Sequence, residues 1–143
     1  MAPSEYSYRD KKLGDVETIT VATTPDVFYP TSTTVLLLRA ARAALGQPCQ
    51  SVLDIGCGSG VVAVVLARLL PTGTSVCASD LSPAAVQLTS ANAGRNGVRV
   101  DCRCGSSFAP WEGQRFDLIV DDVAGVAEPL DRLSGWYPPG VPS

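Results

Sequence analysis

Three glycines at every second position, Gly56, Gly58 and Gly60, follow the short apolar run Val52, Leu53 and Ile55, and this junction limits what the chain can fold into more than any other stretch. The run suits a strand buried on both faces, and the apolar residues from Val61 to Leu70 suit a helix after the glycines. The turn between them has no Cβ at three places, so its backbone can take positive φ and let a ligand lie against it, beside the free N–H groups of a helix start. A dinucleotide fingerprint reads Gly-x-Gly-x-x-Gly, which is not the spacing here. Asp54, two residues before the first glycine, would repel a pyrophosphate and suits a cationic ligand with an ammonium group.

The composition, 45% hydrophobic and 17% charged over 143 residues, is that of one soluble globular domain, so residues 1–143 are taken as a single domain. No N-terminal apolar region resembles a signal peptide, and the longest apolar run is broken by Arg68 and too short to span a bilayer. A cytoplasmic protein with no membrane partner is therefore expected. The five cysteines, Cys49, Cys57, Cys77, Cys102 and Cys104, contain no Cys-x-x-Cys pair and read as small buried hydrophobes in a reducing compartment. The chain has no histidine, and its cysteine spacing does not suggest zinc, so no metal site is predicted. A formal charge of −3 and a pI near 4.8 disfavour a surface built chiefly to hold nucleic acid.

Met1 to Gly14 is polar without a clear period and is expected to be an arm or loop. Val16 to Val21 alternates Thr and Glu with apolar residues, a strand pattern that can pair as a short hairpin ahead of the main sheet. The Thr/Ser cluster before Thr34 can cap a helix from about Thr33 to Leu45, stopped at Gly46. After the helix Val61 to Leu70, ended by Pro71 and Gly73, Thr74 to Ser79 forms the next strand, closed by Asp80. An acid at that place in a nucleotide-binding sheet accepts hydrogen bonds from ribose hydroxyls. Ser82-Pro83 is a helix start, with a serine N-cap and proline at the first position, and this helix runs to about Gly94. Val98 to Cys104 is the third strand of the sheet, followed by the loop Gly105-Ser106-Ser107-Phe108. The fourth, Phe116 to Val120, ends in Asp121-Asp122.

With these residues in order the chain resembles the class I S-adenosylmethionine-dependent methyltransferases. The likeness lies in the acid-x-Gly-x-Gly-x-Gly loop from Asp54 to Gly60, in Asp80, and in the words Asp-Leu-Ser-Pro-Ala-Ala from Asp80 and Ala-Asn-Ala-Gly-Arg-Asn-Gly-Val from Ala91. The loop with Phe28, Pro30 and Thr34 is similar to one in the small-domain methyltransferases, a subgroup that includes protein-glutamine and ribosomal-RNA guanine enzymes, where it closes over the cofactor. Helix capping explains the same residues equally well. The resemblance implies an α/β, Rossmann-like methyltransferase fold: a doubly wound, mostly parallel sheet with helices on both faces and a short N-terminal β segment. It implies S-adenosyl-L-methionine as cofactor, released as S-adenosyl-L-homocysteine. Asp54 would lie near the ammonium, Gly56, Cys57, Gly58 and Gly60 around the ligand, Asp80 on the ribose diol, Leu81 on the adenine, and Ser106 or Ser107 at the adenine amino group.

Two departures qualify what the resemblance implies. In the small-domain enzymes the fourth strand ends in Asn-Pro-Pro-Tyr or a variant, which holds a planar nitrogen in line with the methyl group; here Asp121 stands at the Asn and no proline follows. A carboxylate accepts a hydrogen bond from N–H or O–H and serves as a base when its pKa is raised. Asp121 and Asp122 are thus the predicted catalytic pair, acting on an N or O acceptor of a small molecule or protein; Asp121 would also border the cofactor. The plainer reading has both acids cap a helix beginning near Val126. Secondly, the family's sheet continues beyond a fourth strand, whereas this chain supplies strands one to four and then the proline-rich ending Trp136 to Ser143. A C-terminally incomplete cofactor half is expected, with Leu118, Ile119 and Val120 on an open edge that self-associates or takes a complementing chain. A truncated, non-catalytic cofactor-binding domain and an NAD-type dinucleotide-binding protein remain as alternatives.

Overall fold

The computed structural model describes residues 4–10, 18–45 and 48–122. The segment expected to be an arm is instead a strand, β1 (Glu5–Arg9), paired antiparallel with β2 (Thr18–Ala22) from Glu5↔Ala22 to Arg9↔Thr18. Its period was present in the sequence: Tyr6 and Tyr8 alternate with Glu5, Ser7 and Arg9, and Tyr8 is buried with Ile19 and Val21 across the pair. Arg42 of helix α1 (Ser32–Ala44) ion-pairs with Asp10 just beyond β1. The helix is entered at Thr31, whose backbone N–H donates to the Thr34 hydroxyl at 3.1 Å, so capping is the role in which Thr34 is observed.

The main sheet is parallel, in the order β5-β4-β3-β6, and comprises β3 (Ser51–Ile55), β4 (Ser75–Asp80), β5 (Asp101–Cys104) and β6 (Leu118–Asp121). β3 lies inside and is flanked by β4 and β6, with Ile55 opposite both Ser79 and Asp121. β5 starts later than Val98 because that residue's N–H is taken by the Ala93 carbonyl at 3.0 Å. β6 starts after Asp117, whose carboxylate accepts the backbone N–H groups of Gln50 and Ser51 at 2.8 and 3.2 Å. That clasp sets the register of β6 on β3.

Val52 and Val120 lie on the face that meets the hairpin, α1, α2 (Val61–Leu69) and α3 (Pro83–Arg95). α2 is apolar all round because it is covered all round: Val61 through Leu66 are all buried, each Val or Leu contributing about 1.5–3 kcal/mol. On the other face, Leu53, Ile55 and Cys77 are covered by Trp111 and Phe116, whose rings meet edge to face at 5.8 Å. Trp111 belongs to a short 3-10 turn, Ala109–Trp111, between β5 and β6. Helices were expected on both faces; among the described residues the helices pack on the first face only. An open cavity of about 580 Å³ beside β6 is lined by Phe108, Trp111, Arg115, Phe116 and Ile119 and includes none of the predicted site residues.

Cys57 and Cys77 are buried as expected, whereas Cys104, at the end of an edge strand, is exposed. On the apolar edge only Ile119 is strongly exposed; Val120 is buried against the helices. The helix stop at Gly46, the start of the predicted strand at Val16, and everything from Val123, including the helix near Val126 and the proline-rich ending, lie outside the described residues.

Candidate functional site

The glycine turn is braced from several sides. Gly56 and Cys57 both donate their N–H to the Ser79 carbonyl, at 2.8 and 3.0 Å, and Gly60 closes back on the Cys57 carbonyl at 2.8 Å. Gly58 and Gly60 have φ of +54° and +86°, in the left-handed region that favours glycine. Their surroundings differ. A Cβ on Gly60 would lie 2.8 Å from two side-chain atoms of Thr89 and 2.9 Å from its Cα, so this glycine is required for close packing on α3. A Cβ on Gly58 would meet only the Phe28 carbonyl, at 3.9 Å. The Phe28 loop thus passes over the turn and leaves room there.

Asp80, at the end of β4, accepts the Gly58 N–H at 3.0 Å on one carboxylate oxygen and the Ser82 N–H at 2.9 Å on the other. Each oxygen keeps a further lone pair for a ligand hydroxyl. Next to it, Leu81 is 54% exposed, a bare apolar side chain at the mouth of the crevice. The backbone N–H of Gly105 donates to the Asp80 carbonyl at 3.0 Å, which sets the loop carrying Ser106 and Ser107 alongside. Both serines are exposed, and Ser107 has a positive φ of 45°.

Asp54 is 2% exposed. Its Oδ2 is buried and has no hydrogen-bond partner. Burial pushes the carboxyl well above the usual range, and the charges of Asp80, Asp122 and Asp121 add to the effect in that order. A buried, unpaired acceptor among like charges is a place where a cationic donor would be strongly favoured. Asp121 ends β6 opposite Ile55 and is exposed, whereas Asp122 is half-buried. Both carboxyls are raised by burial, and that of Asp122 further by Asp121. The predicted acids therefore gather at the carboxyl ends of three adjacent strands. Of the last two, Asp122 bears more on Asp54 than Asp121 does.

Cys57, expected around the ligand, has a side chain that is 6% exposed and packs on Ala63, Val76 and Ala78; its N–H donates to the Ser79 carbonyl and its own carbonyl accepts from Gly60. Two further residues went unread. Thr89 donates to the Gly58 carbonyl at 3.0 Å, and Asn92 donates to the Ser59 carbonyl at 2.7 Å. The available signal was two polar residues three apart on a helix face shared with Ala85 and Ala93.

A family model described as the methyltransferase small domain matches residues 18–122, and the chain belongs to that family. It is 45% identical over 100 residues to a release factor glutamine methyltransferase of Geobacter sulfurreducens, covering 69% of this chain and 34% of that protein. A ribosomal protein L11 methylase from Lactobacillus delbrueckii subsp. bulgaricus superposes with a TM-score of 0.55 at 30% identity, covering 64% of this chain and 46% of the other. A T. thermophilus 16S rRNA N2 G1207 methyltransferase, solved with AdoMet and guanosine, superposes with a TM-score of 0.70 over 89% of this chain and 35% of the other. At 24% identity the last supports the fold alone. The chain spans about a third of the length of the first of these relatives.

Proposed function

We propose that this domain binds S-adenosyl-L-methionine and serves, in its protein, to transfer a methyl group to an N or O acceptor. The observation that carries the reading is the unpaired Oδ2 of buried Asp54 beside the glycine turn, an acceptor that an ammonium ligand would satisfy and hold in its ionised form. Asp80 would take the ribose hydroxyls on its remaining lone pairs, Gly56, Gly58 and Gly60 would let the ligand lie on the backbone, Leu81 would cover the adenine, and Ser106 or Ser107 would meet its amino group.

The sulfonium supplies an activated methyl group, so the chain's share is to position, orient and exclude water. Asp122, with Asp121 beside it, would accept the hydrogen bond of the acceptor's N–H or O–H, and burial, by raising the carboxyl, strengthens it as a base. Family members named for glutamine, for protein L11 and for an rRNA guanine support a macromolecular or small-molecule acceptor without choosing among them. The thiols of all five cysteines are free, which supports a reducing, cytoplasmic setting. No helix among the described residues is long and apolar enough to cross a membrane.

Calorimetric titration of the chain with S-adenosylmethionine and S-adenosylhomocysteine, with a nicotinamide dinucleotide as control, tests the reading. Saturable binding of both sulfur ligands and none of the dinucleotide is expected; the reverse pattern would sink it. Binding without methyl transfer would leave a cofactor-binding scaffold.

A further inference from the structure

Asn92 stands in the last turns of α3, where an amide is a poor helix former, and is 1% exposed. Its side chain is spent outside its own helix. Oδ1 accepts the Ala22 N–H at 2.7 Å, and Nδ2 donates to the Ala22 carbonyl at 3.0 Å and to the Ser59 carbonyl at 2.7 Å. A single buried amide therefore joins the end of β2 to the glycine turn, and one turn earlier on the same face Thr89 holds the Gly58 carbonyl.

The hairpin is a separate two-stranded sheet, so its polar attachment to the rest of the domain runs through side chains. Asn96 donates to the Thr20 carbonyl at 3.0 Å, and Arg95 pairs with Glu5 at 2.7 Å. These two contacts end on α3; that of Asn92 goes on to the turn.

We propose that Asn92 is a positioning residue of the glycine turn, and that through it the N-terminal hairpin sets the shape of the turn and its affinity for S-adenosylmethionine. The affinity half rests on the cofactor reading above. Loss of the donors takes their partner from the buried Ser59 carbonyl and the part-buried Ala22 carbonyl, one on each side of the bridge, and both segments relax. A hairpin displaced by a partner or a mutation would then weaken the cofactor site without touching the ligand.

Three variants of the full chain test this. Asn92→Asp keeps the volume and the Oδ1 acceptor and removes both donors. Asn92→Ser, uncharged and too short to span the gap, serves where a buried carboxylate prevents folding. Asn96→Ala removes the donation to Thr20 and a second one to the Asn92 carbonyl, which the Asn96 backbone N–H still holds; it loosens the hairpin, leaves the Asn92 side chain in place and is the control for a merely structural effect. In calorimetric titrations with S-adenosylmethionine the Asn92 variants are expected to bind roughly tenfold or more weakly, and Asn96→Ala within about twofold of the unsubstituted chain.

Amide hydrogen exchange without ligand is the second readout. The Asn92 variants should speed exchange at Cys57, Gly58 and Gly60 as well as in the hairpin, and Asn96→Ala in the hairpin alone. Equal loss of affinity in the Asn92 and Asn96 variants, or unchanged exchange in the turn of a folded Asn92 variant, overturns the proposal. Failure of the unsubstituted chain to bind S-adenosylmethionine removes the cofactor reading and the affinity half with it, while exchange still decides whether Asn92 holds the turn.

Discussion

The carboxyl ends of β3 and β4 and the carboxyl end of β6 carry the same kind of residue, aspartate, and the fold treats them differently. At the first, Ser79, Asp80, Thr89 and Asn92 all bond to the glycine turn, and Asp80 is itself held by two backbone N–H groups. At the second, β6 is an edge strand that pairs with β3 alone among the described strands, and Asp121 is exposed. One end is built before any ligand arrives; among the described residues the other is left open. Proteins similar to this chain carry names that differ in what they act on, a release factor glutamine and ribosomal protein L11, and a braced end beside an open one is a division that lets one fold serve different sites.

The largest expected effect comes from filling the braced end. Gly60→Ala puts a Cβ against Thr89, including its backbone, at a φ of +86°, and should cost about 2–5 kcal/mol of stability in a urea titration. At Gly56 a Cβ meets nothing within 4 Å, so Gly56→Ala carries only the backbone penalty of about 1–2 kcal/mol. Equal losses at the two glycines would show that close packing on α3 is not what Gly60 serves.

Asp80→Ala comes next. Removing the carboxylate loses the proposed bonds to the ribose hydroxyls, and a hydrogen bond to a charged group contributes about 1.5–3 kcal/mol, so S-adenosylmethionine should bind roughly 10- to 150-fold more weakly. The structure adds a loss of stability that ribose binding alone would not cause. Weaker binding at an unchanged unfolding midpoint would mean that the clasp on Gly58 is idle.

Asp54→Asn should act in opposite senses on stability and binding. Because the folded carboxyl is raised by burial and by Asp80, Asp122 and Asp121, the folded chain holds its proton more tightly than the unfolded one, whose value is about 3.9. The contribution is complete below that value and is lost as pH rises through the folded value. Ligand-free stability should therefore fall with rising pH, and Asp54→Asn should flatten the fall and gain about 1–2 kcal/mol at pH 8. Cofactor affinity should drop in the same variant. A variant that loses stability at pH 8 would show that the carboxylate is satisfied in a way the unpaired Oδ2 contradicts.

The braced end was legible in the sequence and the open end was not. Val52 to Gly60 reads as strand, turn and helix because burial, glycine spacing and the acid all act within ten residues, and Asp80 is found by its place after the next strand. Cys57 lies between two of the turn's glycines and so reads as lining from the sequence, whereas its thiol is driven into the core. Thr89 and Asn92 were missed because their partners lie about thirty positions away and helix periodicity does not say which buried amide crosses to a loop. Trp111 was missed for a similar reason: a lone aromatic in a Pro- and Gly-rich loop has no period, and only the bare second face of β3 explains it. At β6, where one neighbour and few contacts set the geometry, a shift of one residue decides between Asp121 and Asp122.

The smallest expected effect bears on that last choice. Neither acid at the β6 end contacts the turn by any described bond, so Asp121→Asn and Asp122→Asn should each leave the S-adenosylmethionine dissociation constant at pH 8 within about threefold, less than 1 kcal/mol. Their charges nevertheless reach Asp54 and help to raise its carboxyl, Asp122 more than Asp121. A cationic ligand at Asp54 requires the ionised form, so affinity climbs as pH rises through the ligand-free value of Asp54. Removing a neighbouring negative charge lowers that value, and the whole climb should move to lower pH. Calorimetric titrations repeated along a pH series should show the shift in both variants and the larger one in Asp122→Asn. A larger shift for Asp121→Asn would make Asp121 the acid whose charge reaches Asp54 more strongly, and no shift in either would separate the open end from the braced one altogether.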